Sequence, residues 1–424
     1  MNMTIALALF ALTYVGLLLL PNKRHFVALI FALLFILCGI LPVNKVLGAV
    51  DFNVLMMIAG TMGLVSLFID SQMPARLADL ILEKTPNVKW AVVFLSLFAG
   101  IVSAFVDNVA TVLMIAPVAL AISKRLKLNP VPIIIAIAVS SNLQGAATLV
   151  GDTTSILLGG YAGMDFMDFF FFLGRPSIFW AVELGAVLSC VVLLWLFRRE
   201  NGPIGATSLT PVTDYVPTIL LTGVVVLLIA ASFIPGKPAV TNGLICMWLL
   251  AVGLFYTAFK TRDLRKVVKP LREIDFSTLI LLAGLFIIIG GITEAGVIDA
   301  VAGIFVHLSG DSVFLAYTLI VWASVLFSAF IDNIPYVATM LPVVQGMAAM
   351  MGVEPYVLYF GLLTGATLGG NLTPVGASAN ITAIGILRKE GNNVKNRDFL
   401  RIGIPFTLTA VMAGYLFVWI FWGM

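Results

Sequence analysis

Two Asp-Asn pairs, Asp107-Asn108 and Asp332-Asn333, each stand in the middle of a long apolar stretch. A carboxylate at the centre of a bilayer costs about 2.5–3.5 kcal/mol on insertion scales, so each aspartate needs a compensating role. One such role is capping, in which the Asp opens a second helix by accepting its free backbone N–H groups. Ion binding is compatible with capping, because a helix N-terminus exposed at the membrane midplane is an anion site, whereas nearby carbonyl ends suit cations. Asn108 and Asn333 both donate and accept hydrogen bonds, which makes them candidate ligands beside the acids.

A second constellation interrupts two further apolar stretches, 130–160 and 356–387. The first reads Ser140-Ser141-Asn142-Leu143-Gln144-Gly145, followed by Thr148, Gly151, Asp152, Thr153 and Thr154. The other runs Gly369-Gly370-Asn371-Leu372-Thr373-Pro374-Val375-Gly376-Ala377-Ser378-Ala379-Asn380. The glycines and Pro374 permit unwinding, and the hydroxyls and amides can replace water around an ion. Tight helix packing also selects small residues, but it leaves Asp152, Asn371 and Asn380 without a reason. Asp152 meets Ala377 in the second copy, so the expected site is asymmetric, with up to three carboxylates near the midplane. Such a cluster, with Asp107, Asn108, Asp152, Asp332 and Asn333 as its members, could bind Na⁺ or carry H⁺, because either relieves repulsion between like charges. Glu183 and Asp70 lie near the ends of apolar stretches and read as interfacial.

The elements that must hold these residues are membrane spans. Of 424 residues, 61% are hydrophobic and 11% charged, with a mean hydropathy of +1.10, whereas soluble domains average roughly 25% charged residues. The apolar segments run end to end and leave no soluble catalytic domain. No basic domain offers a nucleic-acid surface. Cys38, Cys190 and Cys246 lie in apolar segments without metal-ligand spacing and read as packed thiols; His25 and His307 are too few for a usual zinc or iron site. The stretch from Met3 to Leu20 lacks a positive n-region and a cleavage site and reads as the first span. Segments of about 17–25 apolar residues cross a bilayer, which places crossings near 3–20, 25–42, 53–70, 130–160, 178–197, 216–233, 240–258, 276–292, 356–387 and 402–422. The stretches 90–127 and 312–350, each too long for one crossing and polar at its centre, are expected to be re-entrant hairpins, since non-helical backbone survives at membrane depth only where protein or a water-filled cavity covers it. Ordinary two-helix hairpins would give the same sidedness.

Charge sets the orientation. With both termini outside, all of the 24 lysines and arginines except Lys45, Arg175 and Lys237 fall on one side, which is the cytoplasmic side by the positive-inside rule. The stretch 259–275 reads as a solvated cytoplasmic linker between halves.

The chain also repeats itself at an offset of about 225. SAFVDNVATVLMIAPV at 103–118 aligns without gaps to SAFIDNIPYVATMLPV at 328–343, with eight of sixteen positions identical. Val50-Asp51-Phe52-Asn53 is echoed by Ile274-Asp275-Phe276-Ser277, and Thr148-Leu149-Val150-Gly151 by Thr373-Pro374-Val375-Gly376. Residue 53 leaves the outer face and residue 276 the inner, so the copies are inverted. Inverted repeats with broken helices at the midplane are the architecture of secondary transporters. The expected fold is an all-α polytopic membrane protein with about 10 transmembrane helices and two re-entrant hairpins in two inverted-topology repeats. Its parts would be N-terminal helices (1–45), a first repeat (46–200) with hairpin 90–127, connecting helices and linker (201–270), and a second repeat (271–424) with hairpin 312–350.

At these residues the chain resembles the ion transporter superfamily of arsenical permeases, the melanosomal P-protein, citrate-metal symporters and divalent-anion/sodium symporters. SAFVDNVATVLMIAPV, SAFIDNIPYVATMLPV and GATLGGNLTPVGASANITAIG look most like the P-protein and arsenical-permease branch, and with their flanks they cover roughly 100–180 and 325–410. The resemblance implies that Asn108, Asn333, Thr111 and the helix-break residues Asn142, Thr148, Gly151, Asp152, Thr153, Asn371, Thr373, Gly376, Ser378 and Asn380 line substrate and cation sites. It also implies a dimerising scaffold and a transport domain that moves as an elevator. Departures from the family are informative. Asp107 and Asp332 stand where the dicarboxylate symporters carry Ser, which disfavours a dianion, and Thr153-Thr154-Ser155 replaces the Pro-Pro-Asn of the P-protein-like pattern. No cysteine lies at an expected site, so thiolate binding of arsenic is not expected, whereas neutral arsenious acid held by hydroxyls and amides fits.

The expected function is secondary active permeation of an inorganic or small organic anion such as arsenite across the inner (cytoplasmic) membrane, coupled to H⁺ or Na⁺, by a likeness-implied homodimer. A Na⁺/H⁺ antiporter fits the aspartates equally well. An intramembrane aspartyl protease with Asp107 and Asp332 as its dyad is the remote third reading. No enzymatic activity and no organic cofactor are expected. No Gly-rich Lys motif for ATP occurs, which leaves a separate ATPase partner as the only route to direct ATP drive.

Overall fold

The structure, a computed structural model, describes residues 2–204, 209–310 and 312–423; the part of the expected 201–270 linker at 205–208 lies outside them. Its helices in chain order are α1 (Asn2–Leu19), α2 (Arg24–Leu37), α3 (Val43–Ala49), α4 (Phe52–Asp70), α5 (Met73–Glu83), α6 (Val88–Ser103), α7 (Asn108–Leu126), α8 (Pro130–Gly145), α9 (Thr153–Ala162) and α10 (Ile178–Leu196). There follow α11 (Val216–Ser232), α12 (Thr241–Thr261), α13 (Leu264–Arg272), α14 (Phe276–Glu294), α15 (Val297–Ser309), α16 (Val313–Ser328), α17 (Asn333–Met351), α18 (Tyr356–Leu363), α19 (Ser378–Lys389) and α20 (Asn396–Trp422). Among the described residues the one departure from an all-helical chain is a hairpin of Phe171–Phe172 with Arg175–Pro176.

By length and apolarity, seven helices can each cross a membrane, and up to nine spans result if the two sharply bent pairs are each one. Of the ten crossings expected from hydropathy, α8 and α11 are apolar but shorter than a full span, α1 and α2 form one of the bent pairs, and 356–387 is broken, whereas α7 and α17 of the expected hairpins are among the seven; hydropathy counts apolar runs irrespective of where the backbone bends. Three segments read as loops or linker are helical. Met73–Glu83 and Val297–Ser309 form α5 and α15, and Leu264–Arg272 forms α13. All are short, and α5 and α13 are interspersed with charges, so none carries the continuous apolar signal of a span. Asp79 of α5 is nonetheless buried, accepting from the backbone N–H and hydroxyl of Thr210 at 2.8 and 2.6 Å.

The inverted repeat is visible element by element. Helices α4 to α10 and α14 to α20 each run as a long helix, a short helix, a hairpin, a broken helix and a closing helix. Asp51 and Asp275 open α4 and α14 by the same device, their carboxylates accepting from Val54 and Thr278 N–H at 3.0 and 3.1 Å. The packing of the long helices is reciprocal: α4 packs along α12 and α14 along α2. Gly60 of α4 lies against Cys246, just as Gly284 of α14 lies against Ala28.

The broken helices form the interior. Residues 133–159 and 357–371 are buried throughout, which explains why these stretches are apolar on every face rather than on one. Flanked by α6–α7 and α16–α17, the half-helices end against one another; the first polar break is buried at their meeting point, and of the second Asn371, Gly376, Ala377 and Asn380 are buried while Val375 is exposed.

Candidate functional site

Both hairpin tips are built alike. Asp107 Oδ1 accepts from the N–H groups of Val109 and Ala110 at 3.0 and 3.2 Å, and Asp332 Oδ1 accepts from Ile334 N–H at 3.3 Å. The capping role anticipated for both aspartates is therefore present, with the second oxygen of each left over for other partners. The tips are tied to the helix breaks through their carbonyls: the Thr148 hydroxyl donates to Ala104 O, and the Thr373 hydroxyl, 225 residues later, to Ala329 O. Gly151 and Gly376 come so close that a Cβ at Gly151 would lie 2.7 Å from the carbonyl oxygens of Ser103 and Ala104, and one at Gly376 would lie 2.7 Å from that of Ser328.

A ladder of amides crosses the interior between the two repeats. Asn108 donates to Asn142 Oδ1 at 3.1 Å, and Asn142 donates to Asn371 Oδ1 at 3.1 Å and to Thr367 O at 2.8 Å. Asn371 in turn donates to Val139 O at 2.8 Å. Ser141 donates to Asn108 O at 3.0 Å. With its amide oriented to satisfy its neighbours, Asn333 donates to Gly376 O at 3.1 Å and Ala366 O at 3.3 Å, and meets the Ser328 hydroxyl. Asn380 bonds Gly370 O and Asn371 Oδ1 at 3.3 and 3.4 Å. Asp152 opens α9 by accepting from Thr153 N–H and from the Thr154 hydroxyl, both at 2.8 Å.

These groups surround a cavity of about 200 Å³. Of the residues expected at a site, Asp107, Asn108, Asn142, Asp152, Thr153, Asp332, Asn333 and Ser378 line it. Thr111, Thr148, Gly151, Asn371, Thr373, Gly376 and Asn380 do not. Thr111 donates to Asp107 O at 3.1 Å, and the rest hold the tips and breaks in place. The lining also includes Met62, Val65, Ser66 and Ile69 of α4, together with Glu273, Asp275 and Thr278 at the start of α14. No chemical role was assigned to these residues from sequence, although the echo of Val50-Asp51 in Ile274-Asp275 was the available signal. Among the described residues, five carboxylates and no basic residue thus line the cavity. Among the described residues, no group of three His, Cys, Asp or Glu side chains converges closely enough to hold a metal ion. The cavity reaches the surface at Glu273 and Asp275, both exposed, next to the basic segment from Lys260 to Arg272.

A second cavity, about 560 Å³, lies on the opposite side of the hairpins. Its lining residues Phe286, Ile289, Gly290, Asp51 and Val54 are the repeat counterparts, 224 positions away, of Met62, Val65, Ser66, Asp275 and Thr278. The tips reach only the first of this matched pair.

Two inverted bundles with re-entrant hairpins, closing on an oxygen-lined cavity inside a membrane domain, define a transporter. A family profile described as citrate transporter matches residues 14–365, and the chain belongs to that family, within the ion transporter superfamily; it is a multi-pass membrane protein and a secondary transporter, not an enzyme. It is 34% identical over 333 residues, covering 75% of this chain and 74% of the relative, to a 46 kDa membrane protein of Mycobacterium leprae. The P protein of Mus musculus is 26% identical, over 87% of this chain and 54% of the mouse protein. The fold is similar to that of the YdaH transporter of Alcanivorax borkumensis, with a TM-score of 0.61 at 15% identity, covering 89% and 87% of the two chains.

Proposed function

We propose that the protein is a secondary active permease that carries a small inorganic or organic anion across the cytoplasmic membrane together with H⁺ or Na⁺, by alternating access. One observation carries the reading: both hairpin tips and both helix breaks converge on one cavity, and the repeat supplies a matched cavity on the other side. The hairpins, broken helices, α10 and α20 form the moving body. Helices α2, α4, α12 and α14 form the scaffold past which it slides in an elevator-type step, and two copies pair through that scaffold. The amide oxygens of Asn108, Asn142 and Asn333 beside Asp107 suit a hard cation.

The lining also selects the cargo. An anion entering among Asp107, Asp152, Glu273, Asp275 and Asp332 meets five carboxylates of which only Asp332 is paired with a cation, Arg24, so a free trianion such as citrate is disfavoured unless cations accompany it. Neutral arsenious acid, or an anion bound with its coupling cation, fits better. The same five carboxylates favour a second reading, a Na⁺/H⁺ antiporter. Purified protein in proteoliposomes separates the two: uptake of arsenite, phosphate or citrate (with and without Mg²⁺) driven by a Na⁺ or pH gradient supports the permease. Alkali-cation-dependent proton movement without any of these solutes overturns it. An ATPase partner is tested by adding ATP to inside-out vesicles; transport driven by a gradient alone dispenses with one.

A further inference from the structure

Asp332 differs from every other carboxylate of the cavity. Arg24, the first residue of α2, donates from Nη1 to Asp332 Oδ2 at 2.7 Å, and from Nε to Leu17 O at 3.4 Å. Both side chains are largely buried, 24% and 14% exposed. Ser378 also donates to Asp332 Oδ2, at 3.4 Å. Among the described residues, none of Asp107, Asp152, Glu273 and Asp275 has an ion-pair partner. The guanidinium belongs to the scaffold, next to the 113° bend between α1 and α2, whereas Asp332 belongs to a hairpin tip. Their bond spans the seam along which the two bodies would move.

The inverted repeat shows what stands at the equivalent place on the other side. Ala28 against Gly284 matches Cys246 against Gly60, and Phe35 against Gly291 matches Gly253 against Leu67. Both matches relate α2 to α12 by 218 positions, so the counterpart of Arg24 is Asn242. The counterpart of Asp332 is Asp107. If the end states of the cycle are exchanged by the repeat, as the alternating-access reading above holds, the outward-facing state sets Asp107 against Asn242, a neutral amide, and carries Asp332 away from Arg24.

We propose that Arg24 is a positioning residue that acts through Asp332. It holds the second hairpin on the face of the basic segment Lys260–Arg272 and releases it on each crossing. The ion pair exists in one end state only, because its mate across the repeat carries no charge, so Arg24 biases the cycle toward the inward-facing form. A hydrogen bond between charged groups in a partly buried place is worth about tenfold or more in a two-state population.

The test uses the full chain in lipid nanodiscs, with its three cysteines replaced and spin labels at Leu20 and Val375, both exposed, on the scaffold bend and beside the second break. The expected result is two distances. Arg24→Gln shifts their ratio about tenfold from the short one toward the long one, and Arg24→Lys restores most of the short population. Asn242→Arg, which gives Asp107 a cation on the other side, raises the long population while leaving Arg24 intact, so the proposal stays testable even if Arg24→Gln fails to fold. Two distances whose ratio ignores Arg24 and Asn242 overturn the role of Arg24 alone. A single unchanging distance in every variant, with or without a Na⁺ or pH gradient, overturns the alternating-access reading and the proposal with it.

Discussion

Replacing Asp107 by Asn and by Ala separates its two roles, because the hydrogen bonds at the first tip assign them to different atoms. Oδ1 caps α7 by accepting from Val109 and Ala110, and an Asn side chain keeps an acceptor in that place. The negative charge is what Asn removes. An N-cap lost to Ala costs about 1 kcal/mol and at most about 2 kcal/mol, whereas Asn and Asp cap about equally well. Asp107→Asn should therefore unfold within about 0.5 kcal/mol of the parent, the range of a substitution that breaks no named interaction, and Asp107→Ala about 1 kcal/mol lower. Unfolding in detergent, followed by tryptophan fluorescence, measures these differences. If the carboxylate also takes part in ion coupling, both variants lose gradient-driven uptake in proteoliposomes, by about a hundredfold or more, equivalent to about 2.7 kcal/mol. The decisive combination is a stable Asp107→Asn that does not transport. Normal uptake by Asp107→Asn, with a defect confined to Asp107→Ala, would refute the coupling role and leave the cap as the whole function of Asp107.

Gly151→Ala and Gly376→Ala should each force the hairpin tip away from the helix break, since the new methyl would lie 2.7 Å from a tip carbonyl. Overpacking of this kind costs about 1–3 kcal/mol, so thermal scans should show a lower melting temperature for both, with uptake lost even below it; unchanged melting would contradict the close approach. Outside the membrane, Asp214 pairs with Lys260 at 2.8 Å. Partial burial pushes its carboxyl up, but the Lys260 ammonium, the Val216 N–H and the Tyr256 hydroxyl outweigh that and hold it below the ordinary value. A depressed acid stabilises the fold above the ordinary carboxylate range and loses that contribution as pH falls through its own lowered value. Asp214→Asn should therefore lower the melting temperature at pH ~7, and the difference from the parent should shrink as the pH falls below about 4; a difference independent of pH would contradict the pairing.

Eight of the residues that line the cavity are legible in the sequence because polar residues inside apolar runs are conspicuous. Asp107, Asp152 and Asp332 were found that way, and the repeat tied two of them together. Thr148 and Thr373, Gly151 and Gly376 were found by the same echo, but their type could not tell whether they face a cavity or brace a tip, which depends on carbonyls some 44 residues away. Met62 and Val65 carry no mark among the other apolar residues of their helix, and only the fold brings them to the cavity. The Arg24–Asp332 bond joins positions 308 residues apart, with no local pattern to announce it. Helices α5, α13 and α15 were missed for the opposite reason: they are too short, and two of them too charged, to look like spans, and tertiary contacts rather than lipid hold them.

The claim on which everything else rests is that one cavity is reached from the two faces of the membrane in turn. A single cysteine at Ala110, which lines the cavity, in a chain otherwise free of cysteine, reports this directly through labelling by a membrane-impermeant thiol reagent added to one side of sealed, oriented vesicles. Alternating access predicts that the reagent reacts from the face of the basic segment Lys260–Arg272 in one condition and from the opposite face in another, the two rates moving in opposite directions as the Na⁺ or pH gradient is reversed. Labelling from both faces together, as through a channel, or from one face under every gradient, would contradict it.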